Sequence, residues 1–296
     1  MTVGIGAMCN HGATGVLASD LRATFPRSRI GEHDFTGKQW DFDVPFPLVA
    51  CVAGKLGLCQ PVVDELNNRL LKLVEKEERI YCEHIDNAIR DARSHMFRRY
   101  ADWSIRMAYG LTLREWQRGK VPGGEMNKFI HDSVRALLDG LSFEVGLIVL
   151  GFLSDGNPIF YRAIGKHHNE ATATPAVYVI GSGGTLAMDR LNKRQQCLDF
   201  GLPRTLLHIS EAMDDAQKVS DKSVGKPQAF MVVQRDGAMH RIDSNAPLFR
   251  EWKKAYRDRE STASLDDSEI AQKQVAALFR KHEVKRSASR KSEQAK

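Results

Sequence analysis

The sequence has no stretch long enough and apolar enough to cross a bilayer as a helix. Its longest apolar run, VGLIVLGFL at 145–153, is about half the length required and turns into SDGNP. The first residues show neither the basic region nor the apolar core of a secretion signal. Only five cysteines occur, Cys9, Cys51, Cys59, Cys82 and Cys197, without a CxxC or a metal-ligand rhythm. An odd, scattered set argues against a disulfide scaffold and for small core residues, and cytoplasmic residence is the expectation. The phosphate loop GxxxxGK[ST] is missing. GxGxxG fails at its third glycine, because Leu186 stands there. The pair His167 and His168 has no partner at useful spacing. No cofactor and no metal are therefore expected.

Charge of one sign is also scarce over most of the chain. The formal charge is +6, but residues 251–296 hold 12 Lys and Arg against 8 Asp and Glu, so most of the excess is local. A core this close to balance lacks the basic face that nucleic acid selects, and the Ser-rich end KRSASRKSEQAK reads as solvated. Neither a nucleic acid nor a membrane is an expected partner.

What is present is a core-forming chain of 296 residues, 42% hydrophobic. Residues 2–9 and 14–20 alternate as two strands around the turn NHGATG. PFPLVACVAGKLG at 45–57 reads as a buried strand. Beyond it, Val62, Val63, Leu66, Leu70 and Leu73 recur at helical spacing, with Pro61 expected in the first turn. Helical character continues through a stripe of Ile85, Ile89, Ala92 and Met96, and again over 131–140 up to Gly140. FEVGLIVLGF, SDGNP and IFYRAIG form strand, turn and strand. TPAVYVIGSGG is a strand ending in glycines, before a helix from Thr185. SEAMDDAQKVSDKS suggests another helix, capped by Ser210. QAFMVVQRDGAMHRID closes with two strands about an Asp-Gly turn.

Hairpins exclude a doubly wound parallel sheet, which needs a crossover after each strand. Two antiparallel sheets with helices outside them bury every apolar face, so the fold class is α+β. The organisation expected is a domain over 1–248 and a charged tail over 249–296, partly helical or disordered. IAQKQVAALFRKH is weakly amphipathic within that tail.

Four stretches together resemble the proteasome β-subunit branch of the N-terminal nucleophile (Ntn) hydrolases and its bacterial relatives. They are TVGIGA with GVLASDLRAT, then FPLVACVAGKLGLCQPVVDEL, then LIVLGFLSDGNPIFYRAIG with YVIGSGGTLAMDRL, and last EAMDDAQKVSDKSVGKPQAFMVVQRDG. They span about residues 2–245 in the family's order. The resemblance implies a four-layer αββα sandwich and a threonine-type hydrolase, an endopeptidase or amidohydrolase. It implies a nucleophile at Thr2, exposed when Met1 is removed, whose own α-amine serves as base. It assigns the lysine to Lys38 and its acids to Asp20 and Asp221. Ser182 falls on the GSG serine, and Gly183 is the oxyanion donor. It further implies peptide or unfolded-protein substrates, self-assembly into rings, and an ATPase partner that this sequence does not name.

Two departures keep a non-catalytic scaffold subunit open as the alternative. Thr2 directly precedes Val3, where active members have about two residues between the nucleophile and the Val-Gly-Ile stretch. DKSVGK places Val224 where the family has the serine of DxxSGG.

Overall fold

The computed structural model describes residues 3–20, 22–23, 33–34, 38–121, 124–165, 168–171, 176–219, 228–257, 263–266 and 268–279. The chain opens on β1 (Gly4–Cys9) and β2 (Thr14–Asp20), followed by the two-residue β3 (Arg22–Ala23) and β4 (His33–Asp34). The short β5 (Gln39–Asp41) precedes β6 (Leu48–Gly54). Two long helices come next, α1 (Leu56–Lys76) and α2 (Cys82–Tyr109). A small helical lobe is built from α3 (Leu113–Gln117), β7 (Lys120–Val121), β8 (Gly124–Glu125) and α4 (Lys128–Asp139). Then follow β9 (Val145–Phe152), β10 (Pro158–Ile164), β11 (His168–Ala171) and β12 (Val177–Ile180). Helices α5 (Gly184–Lys193) and α6 (Leu202–Val219) come after them. Strands β13 (Gln228–Gln234) and β14 (Met239–Asp243) lead to α7 (Pro247–Tyr256) and α8 (Glu269–Phe279).

The strands form two five-stranded antiparallel sheets, ordered β12-β1-β2-β13-β14 and β11-β10-β9-β6-β5. Side chains alternate across each strand, and three apolar clusters follow from that alternation. Ile5, Ala7, Val16, Ala18, Phe230 and Val232 pack with residues of α5 to α8. Met8, Leu17, Tyr178, Ile180 and Met231, on the other face of the same sheet, pack with Val49, Ile148, Leu150 and Phe152 of the second. Leu48, Ala50, Val52, Leu147 and Val149 turn away from that contact, onto Val62, Leu66 and Leu70 of α1 and Ile85, Ile89 and Met96 of α2. Gly15 shows how closely the sheets approach: a Cβ added there would lie 2.2 Å from Leu150.

The fold is mixed α+β, with hairpins where the alternation and turn residues place them. Gly237 at the Asp-Gly turn has φ 92°, the left-handed geometry expected there. Two local expectations are corrected. Ser210 does not cap a helix. It is buried in the middle of α6, because the apolar run from Leu202 to Ile209 already belongs to that helix. Pro61 lies inside α1 rather than in its first turn, since the helix begins five residues earlier, at Leu56. A proline that near a helix start forgoes one intrahelical bond. In the tail, Phe249, Trp252 and Tyr256 of α7 and Val275 and Phe279 of α8 join the first cluster. Among the described residues, no helix is long and apolar enough to cross a membrane, and no cluster of three or more His, Cys, Asp or Glu has metal-binding geometry.

Candidate functional site

Two of the residues singled out by sequence meet at one end of the first sheet. Asp20 is the last residue of β2, and Lys38 stands just before β5 in the other sheet. The Lys38 Nζ donates to Asp20 Oδ2 at 2.8 Å, with both side chains buried. The other carboxylate oxygen, Oδ1, accepts the backbone N–H of Val3 at 3.0 Å. One carboxylate thus holds the ammonium and the start of β1 together.

The local sequence explains the placement. β1 and β2 form a hairpin in which Val3 falls opposite Asp20, and Asp20 N–H donates to Val3 O at 3.3 Å. Asp20 offers its side chain, in place of its own carbonyl, to the returning N–H. Lys38 is held by its backbone: its carbonyl accepts Val52 N–H at 3.0 Å, as β5 pairs with β6. Gln39 adds a staple that sequence reading missed. Its Nε2 donates to Ala229 O at 2.9 Å, tying β5 to β13 across the two sheets. The available signal was weak, a lone amide on a short polar strand.

Buried ion pairs are costly unless the remaining valences are met. Among the described residues the acid accepts two donors, and both side chains are buried. Cys51 lies against this pair, and burial pushes its thiol up. Its bond with the Ile148 backbone and the Lys38 charge oppose that shift, while Asp20 adds to it. Burial also pushes the Cys59 thiol up to about 12, with Lys38 opposing. Both cysteines are therefore neutral, inert core residues at physiological pH.

The glycine turn is the third part of the site. Gly4 pairs with Ile180, the last residue of β12, so β1 begins beside the strand end that runs into Gly181–Gly184. Gly181 has φ 90°, a conformation that side chains resist. Gly181 and Ser182 are exposed, whereas Gly183 is buried as the N-cap of α5. First-turn N–H groups of a helix lack intrahelical acceptors, which suits this turn to an anion or developing oxyanion.

Glu211 of α6 anchors that helix from behind. It accepts both Nε and Nη2 of Arg194 at 2.8 Å, and Nη2 of Arg190 at 3.0 Å. Thr2 and Asp221, and with them Val224, lie outside the described residues.

No protein-family model and no curated protein matches the chain. Solved structures do. A Gly-1 mutant of Anbu from Hyphomicrobium sp. strain MC1 aligns with a TM-score of 0.59 and 17% identity, over 87% of this chain and 94% of that one. Anbu from Yersinia bercovieri, described as an ancestral beta-subunit, aligns with a TM-score of 0.60 and 17% identity, over 86% and 92%. At such identity the likeness is one of fold, and the fold is consistent with a proteasome-like α+β protein.

Proposed function

We propose that this chain is a proteasome-type N-terminal threonine hydrolase cleaving peptide bonds, with a four-layer αββα order and self-assembly into rings. The three apolar clusters support the layer order, since each joins one pair of neighbouring layers. The observation that carries the chemistry is the buried Asp20 carboxylate, shared by Lys38 and Val3 N–H. The peptide bond ties position 2 to that same Val3 nitrogen.

In this reading Met1 is removed and Thr2 Oγ attacks the scissile carbonyl. Its proton passes to the Thr2 α-amine, which titrates near neutrality and needs no histidine. Lys38 lowers the cost of the forming alkoxide, and Asp20 holds Lys38 in place. The oxyanion is received by N–H groups at Gly183, with Ser182 beside them. The amine base returns the proton to the leaving nitrogen, and water then releases the acyl group from Thr2. Asp221 is assigned to support of the amine. Peptide or unfolded-protein substrates and an ATPase partner belong to the same reading.

A non-catalytic scaffold is favoured by one observation, the hairpin register. Val3 faces Asp20, and alternation along a continued strand would give Asp20's face to position 1 rather than position 2. A displacement of about 1 Å from a productive position costs about a hundredfold in rate.

Intact-mass measurement paired with hydrolysis of a fluorogenic peptide decides between the two. A mature chain starting at Thr2, with turnover lost in Thr2→Ala, supports the hydrolase. Retained Met1 in native protein sinks it. Turnover that appears only when one threonine is inserted between Met1 and Thr2 supports the scaffold.

A further inference from the structure

Helix α2 outruns the sheet on which it packs. Its apolar stripe runs through Ile85, Ile89, Ala92, Met96, Tyr100, Trp103 and Met107, a three-four spacing that keeps one face. The first four are buried against β9, β10 and α1. Tyr100 is half-buried and stacks on Trp103, with ring centroids 6.3 Å apart. Trp103 and Met107 are then 58% and 71% exposed. The helical lobe does not cover them, because it packs on the opposite side of α2, through Ile105. A core stripe that continues bare past its core is a docking feature, and exposed Trp with flanking Arg is typical of interface anchors.

The two ends of this helix differ in charge. Beside Trp103 on the helix stand Arg99 and Arg106, with Asp102 bonded to Arg106 at 2.8 Å and Glu115 of α3 close to both. At the other end, Tyr81 is 49% exposed and is flanked by Glu77, Glu78 and Glu83. Lys76, 3.5 Å from Glu77, and Arg79 are bases there, and the acids outnumber them. Arg79 lies over the Tyr81 ring at 5.3 Å and 3.6 Å from Asp155. Along α2 the two aromatic patches lie about 35 Å apart. They cannot meet within one molecule.

We propose that the basic Trp103–Met107 end of α2 docks on the acidic Tyr81 end of α2 in a second copy of this chain. The proposal rests on the self-assembly reading above and names its contact. Such a contact is head-to-tail, so it propagates from copy to copy and ends in a ring or an open helix. Apolar rings meet at its centre, with opposite charges at its rim. Association should therefore weaken as salt rises.

Sedimentation velocity on the full chain tests this, with circular dichroism reporting the fold. The native chain is expected to form multi-chain species that shrink in high salt. Trp103→Glu, on one patch, and Tyr81→Lys with Glu83→Lys, on the other, should each weaken association at least about thirtyfold and leave single chains. Met107→Glu carries the same test if Trp103→Glu does not fold. Mixing the two defective forms is the decisive arm. Each retains one intact patch, so the mixture should give a two-chain species that grows no further. A mixture that stays single-chain, or a variant that assembles like the native chain, overturns the contact and leaves self-assembly standing. A native chain that is itself single overturns both. Peptide turnover is not read, so the hydrolase chemistry stands or falls separately.

Discussion

Among the described residues, two buried carboxylates, Asp20 and Glu211, have cationic partners, and they are built for different ends. Glu211 is saturated by two guanidinium groups, one of them bidentate, and joins α5 to α6. Arginine keeps its charge at any working pH and presents a rigid fork, which suits a clamp. Among the described residues, Asp20 instead binds a lysine and a backbone N–H, at a sheet end beside a glycine turn. A lysine is a compact charge on a flexible stem, suited to a site where protons move. The clamp fixes the scaffold of the turn. The Asp20–Lys38 pair places a buried charge at that sheet end.

Breaking the clamp should have the larger effect on stability. Glu211→Ala removes the carboxylate that Arg190 and Arg194 share, while Arg190 keeps Asp215 at 3.6 Å. We expect a loss of about 3–5 kcal/mol by urea unfolding, the usual range for a broken buried pair. A loss below about 1 kcal/mol would show that the two arginines find water easily, and the contrast with Asp20 would collapse.

Breaking the Asp20–Lys38 pair should cost less and reveal more. In Lys38→Met, Asp20 keeps its bond with Val3 N–H, so we expect about 2–3 kcal/mol. Adding Asp20→Asn removes the stranded charge, and the double variant should return to within about 1 kcal/mol of the native chain. Turnover, where the native chain has it, should not return with stability. Recovery of both in the double variant would make the pair a structural feature like the clamp.

The sequence made the fold legible where periodicity is strong. Alternation in TVGIGAMC and TGVLASD and the stripe from Val62 to Leu70 lead directly to β1, β2 and α1. The start of α6 was hidden, since TLLHIS is apolar whether helix or strand and Ser210 imitates a cap. In the candidate site, Asp20 was visible as an acid ending an apolar strand. The meeting of Asp20 with Lys38 was implied by the family resemblance and not by the residues' own pattern, because it depends on how one sheet lies over the other. Gln39 was illegible for the same reason, since its acceptor is a backbone carbonyl 190 positions away. The clamp on Glu211 escaped notice because arginines on α5 look like a solvated face until α6 is laid against it.

Arg93 supplies the missing third case, a buried guanidinium with no carboxylate partner among the described residues. Its Nη2 donates to the carbonyl of Gly165, and its Nη1 is buried without a hydrogen-bond partner. Burial pushes its pKa down to about 10, so it remains charged at neutral pH. The surrounding Ala92, Met96 and Ala163 offer an apolar side chain good packing. Arg93→Met gives up one hydrogen bond and removes an uncompensated charge. The two changes oppose each other, and replacement of buried ionic groups by apolar ones is often neutral or favourable. We expect thermal unfolding to report a change between zero and a gain of about 1 kcal/mol, the smallest of the three. Arg93→Lys should be worse than Arg93→Met, because an ammonium is more strongly hydrated and gains no fork geometry at one carbonyl. If Arg93→Met instead loses more than about 1 kcal/mol, the single bond to Gly165 outweighs burial of the charge. Partner number would then be a poor guide to what Lys38 contributes beside Asp20.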